Sequence, residues 1–167
     1  MADDGRPLLT GFQHVDTHGN QNGFTRWLDG WVYANHGFKN NSKVRLGDAG
    51  PQVMHLNSGN TYRFREDGSA AEHLTHGQVN PFGVCFDEWG YRYTADCHSM
   101  PVYQMINGAD YPGFGRQPDA LGCAPKMIDH NHGSSGIGGI AIYAADHYPA
   151  EYRGNLFLGN VVTGKVH

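Results

Sequence analysis

The feature that most constrains this chain is a pattern that returns about every sixty residues. Its first copy runs Gly23-Phe-Thr-Arg-Trp-Leu-Asp-Gly-Trp-Val-Tyr-Ala-Asn-His36, and its second Gly83-Val-Cys-Phe-Asp-Glu-Trp-Gly-Tyr-Arg-Tyr-Thr-Ala-Asp96. The third is Gly139-Ile-Ala-Ile-Tyr143, resumed after an insertion by Arg153-Gly-Asn-Leu-Phe-Leu-Gly-Asn160. Each reads as a short apolar strand, a turn carrying glycine, and a second strand with alternating aromatics. Tyr33, Tyr93 and Phe157 hold equivalent places. Between the copies, Asn60–Arg65 alternates as a third strand, Glu66–Ser69 is a turn signal, and Glu72–Thr75 reads as a fourth strand. Leu8-Leu-Thr-Gly11 resembles Leu74-Thr-His-Gly77 and reads as the fourth strand of a preceding unit. No strong helical period occurs, and only Asp146–Tyr152 reads as one short turn.

Units of four antiparallel strands at this spacing predict an all-β fold, a β-propeller. One four-stranded sheet cannot bury both its faces, whereas blades stacked radially cover one another. The chain accommodates about three such blades, where about six close a ring of this type. It therefore reads as a propeller fragment. Residues 1–20 hold the last strand of a preceding blade, 21–79 and 80–132 are blades, and 133–167 is a truncated blade. A β-sandwich of about ten strands is the rival architecture. Composition agrees with either. Charged residues make up only 17%, and Gly 24 with Pro 8 makes the chain turn-rich, which argues against helical bundles and coiled coils. Aromatics at 12% argue against disorder.

A net charge of −4 offers no electrostatic reach for nucleic acid. No apolar run is long enough to form a membrane segment. The start, Met-Ala-Asp-Asp-Gly-Arg-Pro, lacks the basic and apolar regions of a secretory signal. The end, Val161–His167, reads as a strand beginning, so the chain is expected to be a piece of a longer protein. Cys85, Cys97 and Cys123 form no C-x-x-C, so neither a zinc ribbon nor a haem attachment site is written here. Cys85 reads as a core residue; whether Cys97 and Cys123 pair stays open.

Histidine is the compositional outlier, 11 in 167. In a four-stranded up-and-down blade, the loop between strands two and three lies at the same end as the link to the next blade. The blade-to-blade links read His18-Gly-Asn-Gln-Asn22, His76-Gly-Gln-Val-Asn80 and His130-Asn-His-Gly133. The two–three loops read Asn35-His-Gly37 and Asp96-Cys-His98. Six histidines, His18, His36, His76, His98, His130 and His132, thus share one rim with most of the distinctive Asn and Gln. Imidazole and amide groups suit cofactors, sugars and metals, and imidazole is a general base near neutral pH. Trp27, Trp31 and Trp89 read as packing between blades, Asp67 and Asp87 as turn formers, and Arg63 and Arg65 as surface residues. His14, His55, His73 and His147 fall off the rim. Tyr111-Pro-Gly-Phe-Gly115 is an aromatic loop that caps the channel or closes a long turn.

Two stretches carry a family resemblance. Asn80-Pro-Phe-Gly-Val-Cys-Phe-Asp87 resembles the N-P-x-G-L-x-F-D motif of soluble quinoprotein glucose and sorbosone dehydrogenases. Asp146-His-Tyr-Pro-Ala-Glu-Tyr-Arg-Gly-Asn-Leu-Phe-Leu-Gly159 is similar to that family's D-x-F-P-x-x-x-R-G-N-L-F-x-G stretch. With His18–Phe24, Asp96–Pro101 and Asp129–Gly133, the whole string most resembles the large membrane-bound-dehydrogenase proteins of planctomycete-type bacteria. Those join such a propeller to helical-repeat and c-type haem domains.

The resemblance implies an oxidoreductase that oxidises a sugar or alcohol with pyrroloquinoline quinone (PQQ) and calcium, exported to the periplasm. Its partners would be the rest of the propeller and a haem domain elsewhere in the protein. His18 and Gln21 would be catalytic. Gln21 occupies the place of the family's base histidine, and since an amide cannot be a base, His18 is the substitute. Asn22, Asn80, His98, His130 and His132 would meet the cofactor, and Asp96 and Pro101 the calcium. Val79 stands where the family has an arginine that meets the quinone. Two alternatives accompany this reading. One is a non-catalytic propeller module binding carbohydrate or a partner domain. The other is a transition-metal site on the rim histidines.

Overall fold

The computed structural model describes residues 5–99, 101–113 and 136–167. Fourteen short strands and two single 3₁₀ turns make up its regular structure. In chain order they are β1 (Leu9–Thr10), β2 (Asn22–Arg26), β3 (Trp31–His36), β4 (Asn41–Leu46), β5 (Gln52–Asn57), β6 (Asn60–Arg65) and β7 (Ala71–Gly77). There follow β8 (Asn80–Phe86), β9 (Arg92–Cys97), β10 (Val102–Met105), β11 (Asp110–Tyr111), β12 (Ile137–Ile142), β13 (Leu156–Asn160) and β14 (Lys165–Val166). The fold is all-β, a β-propeller fragment of three blades, and no sheet closes on itself among the described residues.

The first blade is the antiparallel set β2-β3-β6-β7. The second is β8-β9-β10 and the third β12-β13-β14. Alternation decides which side chains face which neighbour. Trp31, Tyr33, Leu74 and Val84 form the core between blades one and two, with Trp27 and Phe86 stacked at 4.2 Å beside them. Ala95, Val102, Ile137 and Leu158 form the core between blades two and three. Successive sheets packed face to face in this order are sectors of a wheel, not the two layers of a sandwich.

Three features were not legible beforehand. Residues 37–59 are not a plain two–three loop, because β4 and β5 form a hairpin inside them. Leu9–Thr10, expected as the outer strand of a preceding blade, pairs with β4 of this hairpin. The resulting sheet β1-β4-β5 packs on the free face of blade one through Ala34, Val44, Met54, Leu56 and Tyr62. Lastly, β11 leaves blade two and runs parallel to β7, satisfying that strand's outer edge. Its Tyr111 packs edge-on to Tyr103 of β10, with ring centroids 5.2 Å apart.

The hairpin is thus core, not decoration. Leu56→Ala is expected to cost about 2–5 kcal/mol, because Leu56 is fully buried between the two sheets. Val53→Ser on the exposed face of the same strand should stay within about 0.5 kcal/mol. Denaturant midpoints of the two variants check this; equal losses would show that the hairpin does not pack as described.

Candidate functional site

The rim begins at the innermost strand of each blade. The pairing register of these strands slips between Asn22 and Thr25, between Phe82 and Val84, and between Gly138 and Ile140. Each slip is a β-bulge holding a glycine with positive φ: Gly23 at 69°, Gly83 at 81° and Gly139 at 76°. A Cβ on Gly23 would lie 3.0 Å from the Gly83 Cα, and one on Gly83 3.0 Å from the Ile140 nitrogen. Only glycine lets the inner strands approach this closely at the hub.

Amides bridge the gap between blades. The Asn22 amide donates to the Pro81 carbonyl at 3.0 Å and to the Asn20 carbonyl at 3.2 Å. Its Oδ1 accepts from the Gly83 N–H at 3.1 Å and from Asn35 at 3.3 Å. Asn35 also donates to the Gly83 carbonyl at 3.0 Å. Oδ1 of Asn35 and Oε1 of Gln21 are buried without a hydrogen-bond partner. Such acceptors carry a desolvation cost that a donor from a ligand or water would relieve.

One residue higher in register, near the ends of the second strands, stand His36, Asp96 and Asn160, all buried. Each anchors a rim loop. His36 Nδ1 lies 2.8 Å from the Ser58 carbonyl, so it carries the proton and donates. Its Nε2 accepts from the Ser42 hydroxyl at 2.8 Å. Burial lowers its pKa, against the raising effect of the Ser58 hydrogen bond. Asp96 Oδ1 accepts from the Asn80 N–H at 2.7 Å, and Oδ2 accepts from the Val79 N–H at 3.0 Å and from the Ser99 hydroxyl. Complete burial pushes its pKa up to about 7, opposed by these three donors. Asn160 Oδ1 accepts from the N–H groups of Val162 at 3.2 Å and Thr163 at 3.1 Å.

The exposed part of the rim is smaller. A 3₁₀ turn, Thr17–Gly19, is capped by Asp16, whose Oδ1 meets both the His18 N–H at 3.0 Å and the His18 Nδ1 at 2.9 Å. The His18 N–H, and then its ring, hold the Asp16 carboxyl below its ordinary pKa. The imidazole itself is exposed, leaving Nε2 toward solvent. Gly37 donates to the Gly19 carbonyl at 3.1 Å, which seats this turn against Phe38. Phe38 N–H donates to Asn80 Oδ1 at 3.2 Å, and its ring lies 6.3 Å from that of His98. His98 is exposed at φ 79°.

His18, Gln21, Asn22, Asn80, Asp96, His98 and Pro101 therefore share one end of the blades. Their roles differ from expectation in detail. The donor set at Asp96 and Pro101 does not fit a calcium ion. Both carboxylate oxygens are occupied by protein donors, and the Pro101 carbonyl accepts the Asp96 N–H at 3.4 Å. The Asn22 amide spends both of its hydrogens on the Asn20 and Pro81 carbonyls, and the Asn80 Oδ1 holds the Phe38 N–H. His36 has both ring nitrogens engaged within the protein, and His76 lies in β7 against His73, with ring centroids 4.1 Å apart. Among the described residues no three of His, Cys, Asp and Glu gather as a metal would require. His130, His132 and Cys123 lie outside the described residues, as do residues 114 and 115 of the aromatic loop; Cys85 and Cys97 are free thiols. Asp16 and Ser99 escaped sequence reasoning. The Asp-x-His spacing before a turn is an N-cap pattern that could have revealed Asp16.

The whole chain, residues 1–167, matches the model of one protein family, described as a domain of unknown function (DUF7133), and belongs to it. Neither the curated proteins nor the solved structures contain a match.

Two outcomes follow from the buried anchors. Asp96→Asn turns one acceptor into a donor facing a backbone N–H, and should cost about 1–3 kcal/mol in denaturant unfolding. His36 is held neutral, with its pKa below the unfolded value. Its contribution to stability is therefore full above the unfolded pKa of about 6.5 and is lost as pH falls below it. From pH 8 to 5 the stability of the parent protein relative to His36→Gln should fall, because the raised Asp96 carboxyl, which gains stability over the same range, acts alike in both; parallel curves would refute the assignment.

Proposed function

We propose that this member of the DUF7133 family binds a hydroxyl-rich ligand, a sugar or an alcohol, on the His18–His98 rim. The observation that carries this reading is the Asp16–His18 pair. Asp16 accepts the Nδ1 proton and so fixes the tautomer in which Nε2 is an acceptor. That atom faces solvent, and the half-buried Phe38 ring, next to His98 and with Lys39 over it, offers this rim an apolar surface for the carbon face of a sugar. The buried amide oxygens of Gln21 and Asn35 have no hydrogen-bond partner among the described residues, and a ligand hydroxyl that reached them would serve as donor. The module would act by binding alone. Gln21 in place of a base and Val79 in place of a cofactor arginine favour that form, as do the occupied oxygens of Asp96.

The second reading is the oxidoreductase that the dehydrogenase resemblance implies, and the same pair favours it. An imidazole oriented by a carboxylate can take a hydroxyl proton as general base. The cofactor would have to be seated by groups other than Asn22 and Asp96, whose polar atoms are already engaged.

Calorimetric titration of the full-length protein with monosaccharides and short alcohols tests both. Saturable binding is expected, weakened about tenfold by His18→Ala, the loss of roughly one hydrogen bond. Dye reduction after addition of quinone and calcium, lost in His18→Ala and lowered in Asp16→Asn, would establish the oxidoreductase. Binding without reduction would establish the binding module, and neither result would sink both readings.

A further inference from the structure

The opposite end of the blades carries a site that the rim does not use. Between the first two strands of blades one and two, an open cleft of about 710 Å³ is lined by Trp27, Tyr33, Phe86, Trp89, Tyr91 and Arg92, among others. Trp89 and Tyr91 stand exposed at its lip, 78% and 57% accessible.

Arg92 forms its floor. Its side chain is buried, with 6% of the residue accessible. Its guanidinium lies 5.3 Å from the Tyr33 ring centroid and donates one hydrogen bond, to Asn107 Oδ1 at 3.1 Å. Among the described residues its buried Nε–H has no acceptor and no carboxylate pairs with it. The nearby carboxylate of Asp29 already serves Tyr33, the Trp31 N–H and Arg63. Arg63 in turn is paired with Glu72 at 2.8 Å.

A buried cation without a counter-ion is costly, and an apolar residue would pack there at less expense. The repeat itself does not require arginine. In the matching register of blade one, where β2 Arg26 faces β3, the place of Arg92 is held by Val32. Burial also draws the guanidinium pKa down to about 10, against the smaller raising effects of Tyr33, Tyr111 and Asp29. A planar guanidinium with a free N–H is matched by a carboxylate, and flat aromatic walls are matched by a ring.

We infer that this cleft binds a carboxylate carried on a ring, with Arg92 taking the carboxylate and Trp89 and Trp27, the latter backed by Phe86, taking the ring. Aromatic acids and uronic acids share that chemistry. The site is independent of the rim and of the function proposed for it.

Tryptophan fluorescence of the full-length protein, titrated with benzoate and with glucuronate, tests the inference. Benzamide and glucose are the neutral counterparts. Saturable quenching is expected with at least one acid and at least tenfold weaker binding with its neutral counterpart. Benzoate alone would identify the aromatic class, and glucuronate alone the uronic class. Arg92→Met should lose at least tenfold in affinity with an unfolding midpoint no lower than the parent's. Trp89→Ala, at an exposed position, should weaken binding several-fold without touching the fold. No quenching by either acid, equal binding of acid and neutral partner, or undiminished binding by Arg92→Met would overturn it.

Discussion

The close approach of the innermost strands governs everything else in this fold. Gly23 and Gly83 sit in bulges where a side chain would strike the next blade. Because they yield, Asn22 and Asn35 can reach across and hydrogen-bond the backbone of blade two. Gly139 keeps the same bulge and the same positive φ, but a Cβ there would meet nothing, since no described strand lies beyond it. The bulge is thus a property of the repeat, and the contact a property of having a neighbour.

The buried ends of the second strands show one position solving one problem with three chemistries. His36, Asp96 and Asn160 each hold a rim loop by satisfying backbone or hydroxyl groups that burial would otherwise strand. A carboxylate accepts three donors; an imidazole donates to one group and accepts from another; an amide oxygen accepts two backbone N–H groups of its own turn. These groups looked like ligands because they are polar and lie near the rim. Their surroundings assign them to architecture, and among the described residues the exposed chemistry of the rim narrows to His18, His98 and their neighbours.

Much of this was legible in the residues. The recurrence of Tyr33, Tyr93 and Phe157 and the turns between them predicted stacked four-stranded units, because alternating aromatics and turn residues are local properties. The β4–β5 hairpin is hard to read from the residues because Ser42 puts a polar group on its buried face and Val53 an apolar one on its exposed face. Its burial shows only against Ala34 and Tyr62, which are close in space rather than in sequence. The parallel pairing of β11 with β7 was invisible for the same reason, since two residues carry no periodicity.

The sequence by itself determined the repeat, its all-β character and, among the described residues, the place of His18, Asn22, Asn80 and His98 at one end, because strand period and loop order follow from local composition. Only the tertiary structure decided which of those groups remain available. Availability depends on what packs above each one. Asp96 is enclosed by the Val79–Asn80 backbone and Ser99, His18 stands in solvent tethered by Asp16, and Arg92 lies walled by aromatics from two blades.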